Sequence, residues 1–374
     1  MNSSSVSELY IGLMSGTSLD GVDAVLADFS GPRCQVRGHH ATPFDDTTRA
    51  ELLALNSPGA NELHRAALAA NALARHYARA VRDLLKKTDV PAHAVRAIGA
   101  HGQTVRHRPG EFDGTGYTLQ LNNPALLAEL TSIAVVADLR SRDVAAGGQG
   151  APLVPAFHQH MFGQPGQDLL VLNIGGIANL SVLAAEGPVL GFDCGPGNAL
   201  MDHWCQHHTG QPFDRDGAWA ASGQVLPGLL TLFNEEPYLH RAPPKSTGRD
   251  LFRPEWLQER LARFGPATPA DVQATLTELT ASACAESASS YRNNSKFLAV
   301  CGGGAFNRHL MTRLQALLPT LQVQATDAFG LPALQVEAAA FAWLARQAVL
   351  GLPGNLPMAT GAQGARVLGC IYPA

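Results

Sequence analysis

The sequence has little of what marks nucleic-acid-binding, membrane or secreted proteins. Lys+Arg total 27 and Asp+Glu total 31 in 374 residues, so the net charge is −4 and no strongly basic surface is available for phosphate backbones. No apolar run approaches the ~20 residues of a membrane helix. The polar start, residues 1–7, lacks the basic and apolar regions of a secretion signal. We therefore expect a cytoplasmic protein that binds neither nucleic acid nor membrane.

Cysteine and lysine are too sparse for several common sites. The six cysteines are far apart and form no Cys-x-x-Cys pair, which excludes a zinc ribbon and a thioredoxin motif. A Walker A loop requires Gly-Lys-Ser/Thr, but none of the four lysines follows a glycine, so a P-loop NTPase is excluded. No Gly-x-Gly-x-x-Gly lies in a first strand–helix unit, which counts against a Rossmann dehydrogenase. The protein-kinase sequences His-Arg-Asp and Asp-Phe-Gly are also absent.

Glycine, by contrast, is abundant, and glycine-rich turns follow four apolar strands among the 37 glycines of the chain. Two of these turns are tips of predicted hairpins, at 16–21 and 175–179, and two are strand–helix junctions, at 195–198 and 302–304. Glycine lets backbone N–H groups approach a phosphate closely, and a following helix adds its positive N-terminal end. A single turn of this kind is usually only a tight turn, whereas four of them favour nucleotide binding.

Strands alternate with helical patterns along the chain, which predicts an α/β protein. The strand–turn–strand pattern at 9–29 recurs about 160 residues later at 169–183, which hints at two similar domains. We place the domain boundary near residue 131. The expected division is a first domain at 1–130 completed by 346–374, and a second domain at 131–345.

Seven ordered blocks of sequence, together spanning nearly the whole chain, closely resemble the anhydro-N-acetylmuramic acid kinase family of the actin, sugar-kinase and heat-shock ATPase superfamily. The blocks are GLMSGTSLDGVD (12–23), HGQT (101–104), GGQGAPL (147–153), NIGGIAN (173–179), DCGPGN (193–198), PKSTG (244–248) and CGGG (301–304). The chain departs from the family at Ser141, where a run of three arginines before Asp143 is expected.

The resemblance implies an enzyme that uses ATP and Mg²⁺. It would open the internal ring of 1,6-anhydro-N-acetylmuramic acid and phosphorylate O6, giving N-acetylmuramic acid 6-phosphate and ADP in cell-wall recycling. It also implies a two-domain actin-like (ribonuclease H-like) fold with both substrates in the interdomain cleft, and a cytoplasmic homodimer. Asp193, at a strand end beside a glycine turn, corresponds to the base that activates water.

The matching motifs also assign binding residues. The expected cofactor-binding residues are Gly16, Thr17, Ser18, Leu19, Asp20, Gly21, Val22, Asp23, Gly175, Gly176, Asn179, Gly302, Gly303 and Gly304. The expected substrate-binding residues are His101, Gln103, Thr104, Arg140, Arg142, Asp143, Gly197 and Asn198. The expected Mg²⁺ residues are Asp20 and Glu337.

Several of these residues also have an ordinary structural explanation. Asp20 either organises Mg²⁺ through water or stabilises its own turn. Glu337 either faces the metal or complements the positive end of its helix. Arg140 and Arg142 either hold a substrate carboxylate, which arginine binds with two hydrogen bonds, or form an interdomain salt bridge. His101 is interpreted as a structural group rather than a base.

Two other classes of function remain open. A chaperone-like or actin-like ATPase would use nucleotide only as a conformational switch, and such proteins usually carry an extra region that this chain lacks. A glycoside hydrolase without ATP normally needs two catalytic carboxylates, and the glycine hairpins would then have no role. Both considerations favour the sugar kinase.

Overall fold

The computed structural model describes residues 8–16, 19–247 and 251–374. The chain forms two compact units, of which the first contains the described residues up to Met161 together with Gln335–Ala374, and the second contains Phe162–Leu334. No helix in these described ranges is both long enough and apolar enough to cross a bilayer.

A six-stranded mixed sheet forms the centre of the first unit. Its first three strands are antiparallel neighbours, the fourth and fifth run parallel to the first, and a short C-terminal strand closes the edge. The strands are β1 (Leu9–Met14), β2 (Gly21–Asp28), β3 (Gln35–Pro43), β4 (Val95–Ala100), β7 (Val135–Ala137) and β13 (Cys370–Tyr372), and a separate hairpin comprises β5 (Gln103–Pro109) and β6 (Gly116–Leu121).

Helices pack on the first sheet, and the closest of them can approach because two strand residues are glycines. The helices of this unit are α1 (Asp46–Ala54), α2 (Glu62–Thr88), α3 (Pro124–Thr131), α4 (Ser141–Ala145), α5 (Val154–Phe162), α12 (Val336–Val349) and α13 (Pro357–Thr360). A Cβ at Gly12 of β1 would meet the backbone of Ala338, and one at Gly99 of β4 would meet that of Phe341. The lack of a side chain at Gly12 and Gly99 therefore lets the backbone of α12 contact the backbones of β1 and β4.

The second unit contains a five-stranded sheet with α10 buried along most of its length. The strands are β8 (Leu169–Ile174), β9 (Ile177–Leu183), β10 (Leu190–Pro196), β11 (Phe297–Cys301) and β12 (Gln322–Ala325), and the helices are α6 (Ala199–Thr209), α7 (Ala218–Ser222), α8 (Pro227–Asn234), α9 (Pro254–Phe264), α10 (Pro269–Ser290) and α11 (Arg308–Leu317). Large apolar residues such as Phe192, Phe233 and Trp256 fill its core.

The two sheets have the same strand order. In each unit a three-strand antiparallel meander is followed by two strands parallel to its first strand, so the order is 3-2-1-4-5 (β3-β2-β1-β4-β7 and β10-β9-β8-β11-β12). This is the ribonuclease H-like arrangement of actin-like proteins, and it confirms the predicted α/β fold class.

The unit boundaries differ from the expected ones. The structure divides the chain at 161/162 and 334/335, not at 130/131 and 345/346. The physical reason is that β7 pairs with β4 in the first sheet, and α12 packs against β1 and β4. The segment after residue 131 and the whole of α12 thus belong to the first unit.

Candidate active site

The tip of the β8–β9 hairpin consists of Gly175 and Gly176, and it lies against the turn that begins α6. The Gly175 carbonyl accepts a hydrogen bond from Asn198 N–H (2.8 Å), and the Gly176 carbonyl accepts from Gly197 N–H (3.0 Å) and Ala199 N–H (3.2 Å). Residue 197 has to be glycine because a Cβ would overlap the Gly175 carbonyl oxygen. The amides of Gly197, Asn198 and Ala199, at the turn that begins α6, therefore hold the hairpin tip in place.

The turn after β11 packs onto the same hairpin. Gly302 has a φ of +80°, and a Cβ there would meet the Asn173 side chain at 2.5 Å. A Cβ at Gly304 would overlap the Ile174 side chain, whereas Gly303 is exposed and its Cβ would lie 3.4 Å from Asn198 Nδ2. Three of the four predicted glycine turns thus meet at one end of the second sheet.

A row of polar side chains crosses this end of the sheet. Cys301, Asn173, Asn179 and Asp193 are successive partners on β11, β8, β9 and β10, and cross-strand partners share one face of a sheet. The Asn173 Oδ1 accepts a weak hydrogen bond from Cys301 Sγ (3.7 Å). The Asn179 Oδ1 is buried and has no hydrogen-bond partner among the described residues. The row connects the Gly302 turn with Asp193.

Asp193 is 6% exposed and is held in a fixed orientation. Its N–H donates to the Lys245 carbonyl (3.2 Å), and its own carbonyl accepts from the Tyr238 hydroxyl (3.1 Å). Its carboxylate Oδ2 accepts from Thr247 N–H (2.9 Å). The segment around Lys245 therefore contacts both the backbone and the carboxylate of Asp193. This contact gives a structural reason why the motifs at 193–198 and 244–248 occur together.

Lys245 lies inside the second unit and does not extend into solvent. Its Nζ donates to the carbonyls of Leu239 (3.0 Å) and Tyr238 (3.4 Å) and lies 5.1 Å from the centre of the Tyr238 ring. Burial lowers the pKa of this lysine, and the nearby Cys194, Glu286 and Asp193 oppose that shift. Lys245 thus supports the loop around Asp193.

In the first unit, the beginning of the β1–β2 loop is clamped to the start of β5. The fully buried Ser15 hydroxyl donates to the Gly102 carbonyl (3.0 Å) and lies 2.9 Å from the Tyr77 hydroxyl. Gln103 Nε2 donates to the Gly16 carbonyl (3.1 Å). Thr104 lies on the β5–β6 hairpin, where its hydroxyl accepts from Gln120 Nε2 (3.2 Å). These contacts fix where the loop leaves β1.

The other residues expected to bind the nucleotide in this loop are placed differently from one another. Leu19 (φ +59°) and Val22 have buried side chains in the core, so only their backbone can meet a ligand. Asp20 is exposed, and Asp23 pairs with His39 (2.8 Å). Gly21 begins β2, where a Cβ would overlap the backbone of β3. The two remaining expected residues, Thr17 and Ser18, lie outside the described residues.

The buried His101 and the half-buried Arg140 form a hydrogen-bonded pair in the first unit. Arg140 donates from Nη2 (3.0 Å) and Nε (3.3 Å) to His101 Nε2, and from Nη1 to the Gly150 carbonyl (2.7 Å). Burial, together with the Arg140 charge, lowers the pKa of His101 to about 3. The imidazole is therefore neutral, with Nδ1 protonated towards the Ser15 carbonyl (3.3 Å), and is not a general base.

Arg142 and Asp143 have opposite environments. Arg142 is exposed and makes no ion pair with any described residue. Asp143 is fully buried, and its carboxylate accepts hydrogen bonds from Gly150 N–H (2.8 Å), Asn355 Nδ2 (2.6 Å) and the Thr360 hydroxyl (2.8 Å). The carboxylate of Asp143 thus joins two segments of the first unit and is buried, and its contact with substrate stays a prediction.

The expected Mg²⁺ residues are both in the first unit. Asp20 is exposed in the β1–β2 loop, and Glu337 is half-buried in the first turn of α12. Within residues 8–16, 19–247 and 251–374 no cluster of three histidine, cysteine or acidic side chains could hold a metal ion. Mg²⁺ commonly keeps several waters and uses only one or two carboxylates together with substrate phosphates, so a cage of protein ligands is not required here.

Taken together, two ribonuclease H-like units with glycine-rich turns at a strand end place the protein in the class of actin-like ATPases and sugar kinases. The particular family follows from comparison with known sequences. The model of the anhydro-N-acetylmuramic acid kinase family matches residues 8–374. The chain therefore belongs to the anhydro-N-acetylmuramic acid kinase family and is a kinase.

Individual relatives agree with this assignment. The anhydro-N-acetylmuramic acid kinase of Variovorax paradoxus (strain S110) is 67% identical over 372 residues, which cover 98% of this chain and 99% of the relative. That of Albidiferax ferrireducens is 63% identical over 389 residues, which cover 99% of this chain and 100% of the relative.

Solved structures are more distant. A ROK family glucokinase from Streptomyces griseus, in complex with glucose and AMPPNP, is 15% identical with a TM-score of 0.40, covering 91% of this chain and 99% of that one. Component A of the (R)-2-hydroxyglutaryl-CoA dehydratase of Acidaminococcus fermentans is 11% identical with a TM-score of 0.44, covering 90% and 98%. These scores are too low to carry a comparison of sites.

Proposed function

We propose that this kinase converts 1,6-anhydro-N-acetylmuramic acid and ATP to N-acetylmuramic acid 6-phosphate and ADP, in cell-wall recycling. One observation carries the proposal: a single buried carboxylate, Asp193, lies on the same row of side chains that leads to the glycine turns of the second unit. The glycine turns that we assign to phosphate therefore adjoin a group that can accept a proton.

In the proposed reaction, the oxygen of water attacks C1 and the C1–O6 bond breaks. Asp193 takes one proton of that water, and the other hydrogen remains on the new hydroxyl at C1. The released O6 attacks the γ-phosphorus, and ADP leaves. The phosphoryl group captures O6, so no second carboxylate is needed as an acid, unlike the pair of most glycosidases.

We assign the nucleotide to the glycine turns. The N–H groups of the Gly175–Gly176 tip and of Gly16 approach the β- and γ-phosphates, and Gly302–Gly304 lies near adenosine. The exposed Asp20 carboxylate and Glu337 fit Mg²⁺ held through water, and the ion would neutralise charge on the phosphates. Val22 and Leu19 support the loop through their buried side chains.

The muramic substrate carries a lactyl carboxylate, and we assign it to Arg142. This guanidinium is exposed at α4 and has no ion-pair partner among the described residues, so it is available for an anion. Arg140 is already bonded to His101 and Gly150 and acts as a positioning residue. From the family resemblance we further infer a cytoplasmic homodimer.

The test is a coupled assay of ADP release with 1,6-anhydro-N-acetylmuramic acid, with glucose and with no sugar. The proposal predicts saturable ADP release with the anhydro sugar alone. Equal release with glucose would indicate an ordinary hexokinase. Turnover of ATP that does not depend on any sugar would instead support a switch ATPase.

A further inference from the structure

Asn179 presents a hydrogen-bond acceptor that nothing in the described protein satisfies. Its Oδ1 is buried, although buried side-chain oxygens almost always have a donor. The residue lies on β9, directly opposite Asp193 on β10. On the other side of Asn179 lies Asn173, whose own Oδ1 already has the Cys301 thiol as a donor. The unsatisfied acceptor therefore adjoins the proposed base.

Asn179 Oδ1 and the Asp193 carboxylate both accept hydrogen bonds, so one donor with two hydrogens can bond to both at once. An ionised Asp193 accepts hydrogen bonds and cannot donate one to Asn179. A water molecule can donate one hydrogen to Asn179 Oδ1 and the other to the Asp193 carboxylate. The site where water has to be activated thus contains, on neighbouring strands, a carboxylate and an amide oxygen.

The strand geometry agrees with this. Directly opposed residues on antiparallel strands have Cβ atoms about 4.5–5.5 Å apart, with their side chains on one face. A water that donates both hydrogens at about 2.8 Å separates its two acceptors by about 4.5 Å. The two side chains therefore begin from neighbouring positions on one face, at a spacing that one bridging water suits.

We propose that Asn179 orients the attacking water in the ring-opening step, a role that rests on the proposed function. As the water oxygen bonds to C1 and the C1–O6 bond breaks, one proton passes to the Asp193 carboxylate. The second hydrogen stays on the oxygen that becomes the C1 hydroxyl, and Asn179 Oδ1 accepts its hydrogen bond throughout. Fixing both hydrogens directs the lone pair of the water at C1. This assignment differs from the cofactor contact that the sequence motif suggests for Asn179.

Three variants test the role. Asn179→Ala removes the acceptor and should lower kcat about 10–100-fold, because a misdirected nucleophile costs that much, while calorimetric affinities for ATP and the anhydro sugar stay within about threefold. Asn179→Asp replaces the amide oxygen by a carboxylate oxygen of the same shape. Asn173→Ala is the matched control, because Asn173 lies against Gly302 and its loss should weaken ATP binding instead.

The pH profile separates an oriented water from a structural role. A second carboxylate beside Asp193 disfavours ionisation of the pair, so the acid limb of kcat/KM should move to higher pH in Asn179→Asp. Above that limb its kcat should recover well above that of Asn179→Ala, because an oxygen acceptor is again present. Wild-type kcat in Asn179→Ala, or an unmoved acid limb in Asn179→Asp, would overturn the proposal.

Two further outcomes are distinguishable. Reduced ATP affinity with unchanged kcat in Asn179→Ala would assign the residue to the nucleotide and overturn the role in water binding. The wild-type enzyme tests the proposed function separately. If that function is wrong, the wild-type enzyme releases no ADP with the anhydro sugar.

Discussion

The two units have one strand order but differ in the loop that joins their first two strands. In the first unit this loop has six residues, 15–20, and in the second it has two, 175–176. The long loop is clamped by side chains, through Ser15 to Tyr77 and Gln103 to Gly16. The short tip consists of two glycines, so only its backbone groups can form hydrogen bonds. Its carbonyls accept hydrogen bonds from the turn that begins α6.

Two buried polar sites, one in each unit, also differ in their hydrogen bonds. In the first, His101 is bonded to Arg140, and Asp143 is bonded to Asn355 and Thr360. In the second, Asn179 has a buried oxygen with no described partner beside a buried carboxylate. The difference between these two sites teaches that buried polar groups can serve different ends: the first site uses them as internal supports, and the second leaves an acceptor beside Asp193.

Replacing the proposed base, Asp193, should have the largest effect on activity. Asp193→Asn keeps the shape and can still accept from Thr247 N–H, but it cannot take a proton. We expect kcat to fall about 10²–10⁴-fold, the usual size of a general-base effect, with little change in ATP affinity. Rapid-quench turnover and calorimetry measure the two quantities. A folded Asp193→Asn enzyme with near-wild-type turnover would show that another group activates the water.

A side chain on the short tip should weaken nucleotide binding. The nearest atom to a Cβ at Gly175 is 3.7 Å away, so Gly175→Val leaves the fold intact while it obstructs phosphate. Loss of one charge-assisted hydrogen bond costs about 1.5–3 kcal/mol, which raises the Kd for ATP about 10–100-fold.

Gly31→Val is the matched control for the tip, because the nearest atom to a Cβ there is similarly distant, at 3.8 Å, in the exposed β2–β3 loop of the first unit. Calorimetry should find wild-type ATP affinity in this variant. If both variants bind ATP like the wild type, the β8–β9 tip is not a phosphate loop.

Substitution of Arg142 and of Arg140 should distinguish a residue that binds substrate from one that supports the structure. Arg142→Ala should lower kcat/KM for the muramic substrate about 10–100-fold, from loss of one charge-assisted contact, and should barely affect an anhydro sugar without the lactyl group. Arg140→Ala should affect both sugars alike, because it leaves His101 and the Gly150 carbonyl without their partner. Steady-state kinetics on the two sugars decides, and equal losses in Arg142→Ala would assign that residue to phosphate or to structure.

The last expected effect concerns stability in acid and does not involve the reaction. The folded pKa of His101 is about 3, well below the ordinary value of 6.5, so between these values the unfolded chain binds a proton that the folded chain does not. The free energy of unfolding should therefore fall as pH drops below about 6.5, by up to about 1.4 kcal/mol per pH unit from this group.

Urea unfolding at pH 7, 6, 5 and 4 checks this pH dependence. His101→Gln should show a shallower decline than the wild type. His207→Gln, at an exposed position of α6, serves as the control and should keep the wild-type slope. An unchanged slope in His101→Gln would mean that His101 is not buried as a neutral group.

Apolar and glycine patterns predicted the two strand–turn–strand units. β1, β2, β8 and β9 lie within the patterns expected at 9–29 and 169–183. The β5–β6 hairpin was not predicted, because most of its residues are polar and only half-buried, so no alternation of apolar residues marks it.

The sequence predicted where the glycine turns lie but not what they contact. Asp143 was expected to bind substrate, and its burial depends on Asn355 and Thr360, more than two hundred residues away in sequence. The use of the α6 amides by the Gly175–Gly176 carbonyls likewise requires the packed structure. Local sequence shows which residues can approach a phosphate, and only tertiary packing shows which of their groups remain available.

The central claim is that water opens the ring at C1 while O6 receives the phosphoryl group. Turnover of the wild-type enzyme in ¹⁸O-water, followed by mass spectrometry of the product, tests it most directly. The account predicts one ¹⁸O atom on C1 of N-acetylmuramic acid 6-phosphate and none in the phosphate. Label in the phosphate, or a C1 oxygen without label, would contradict it.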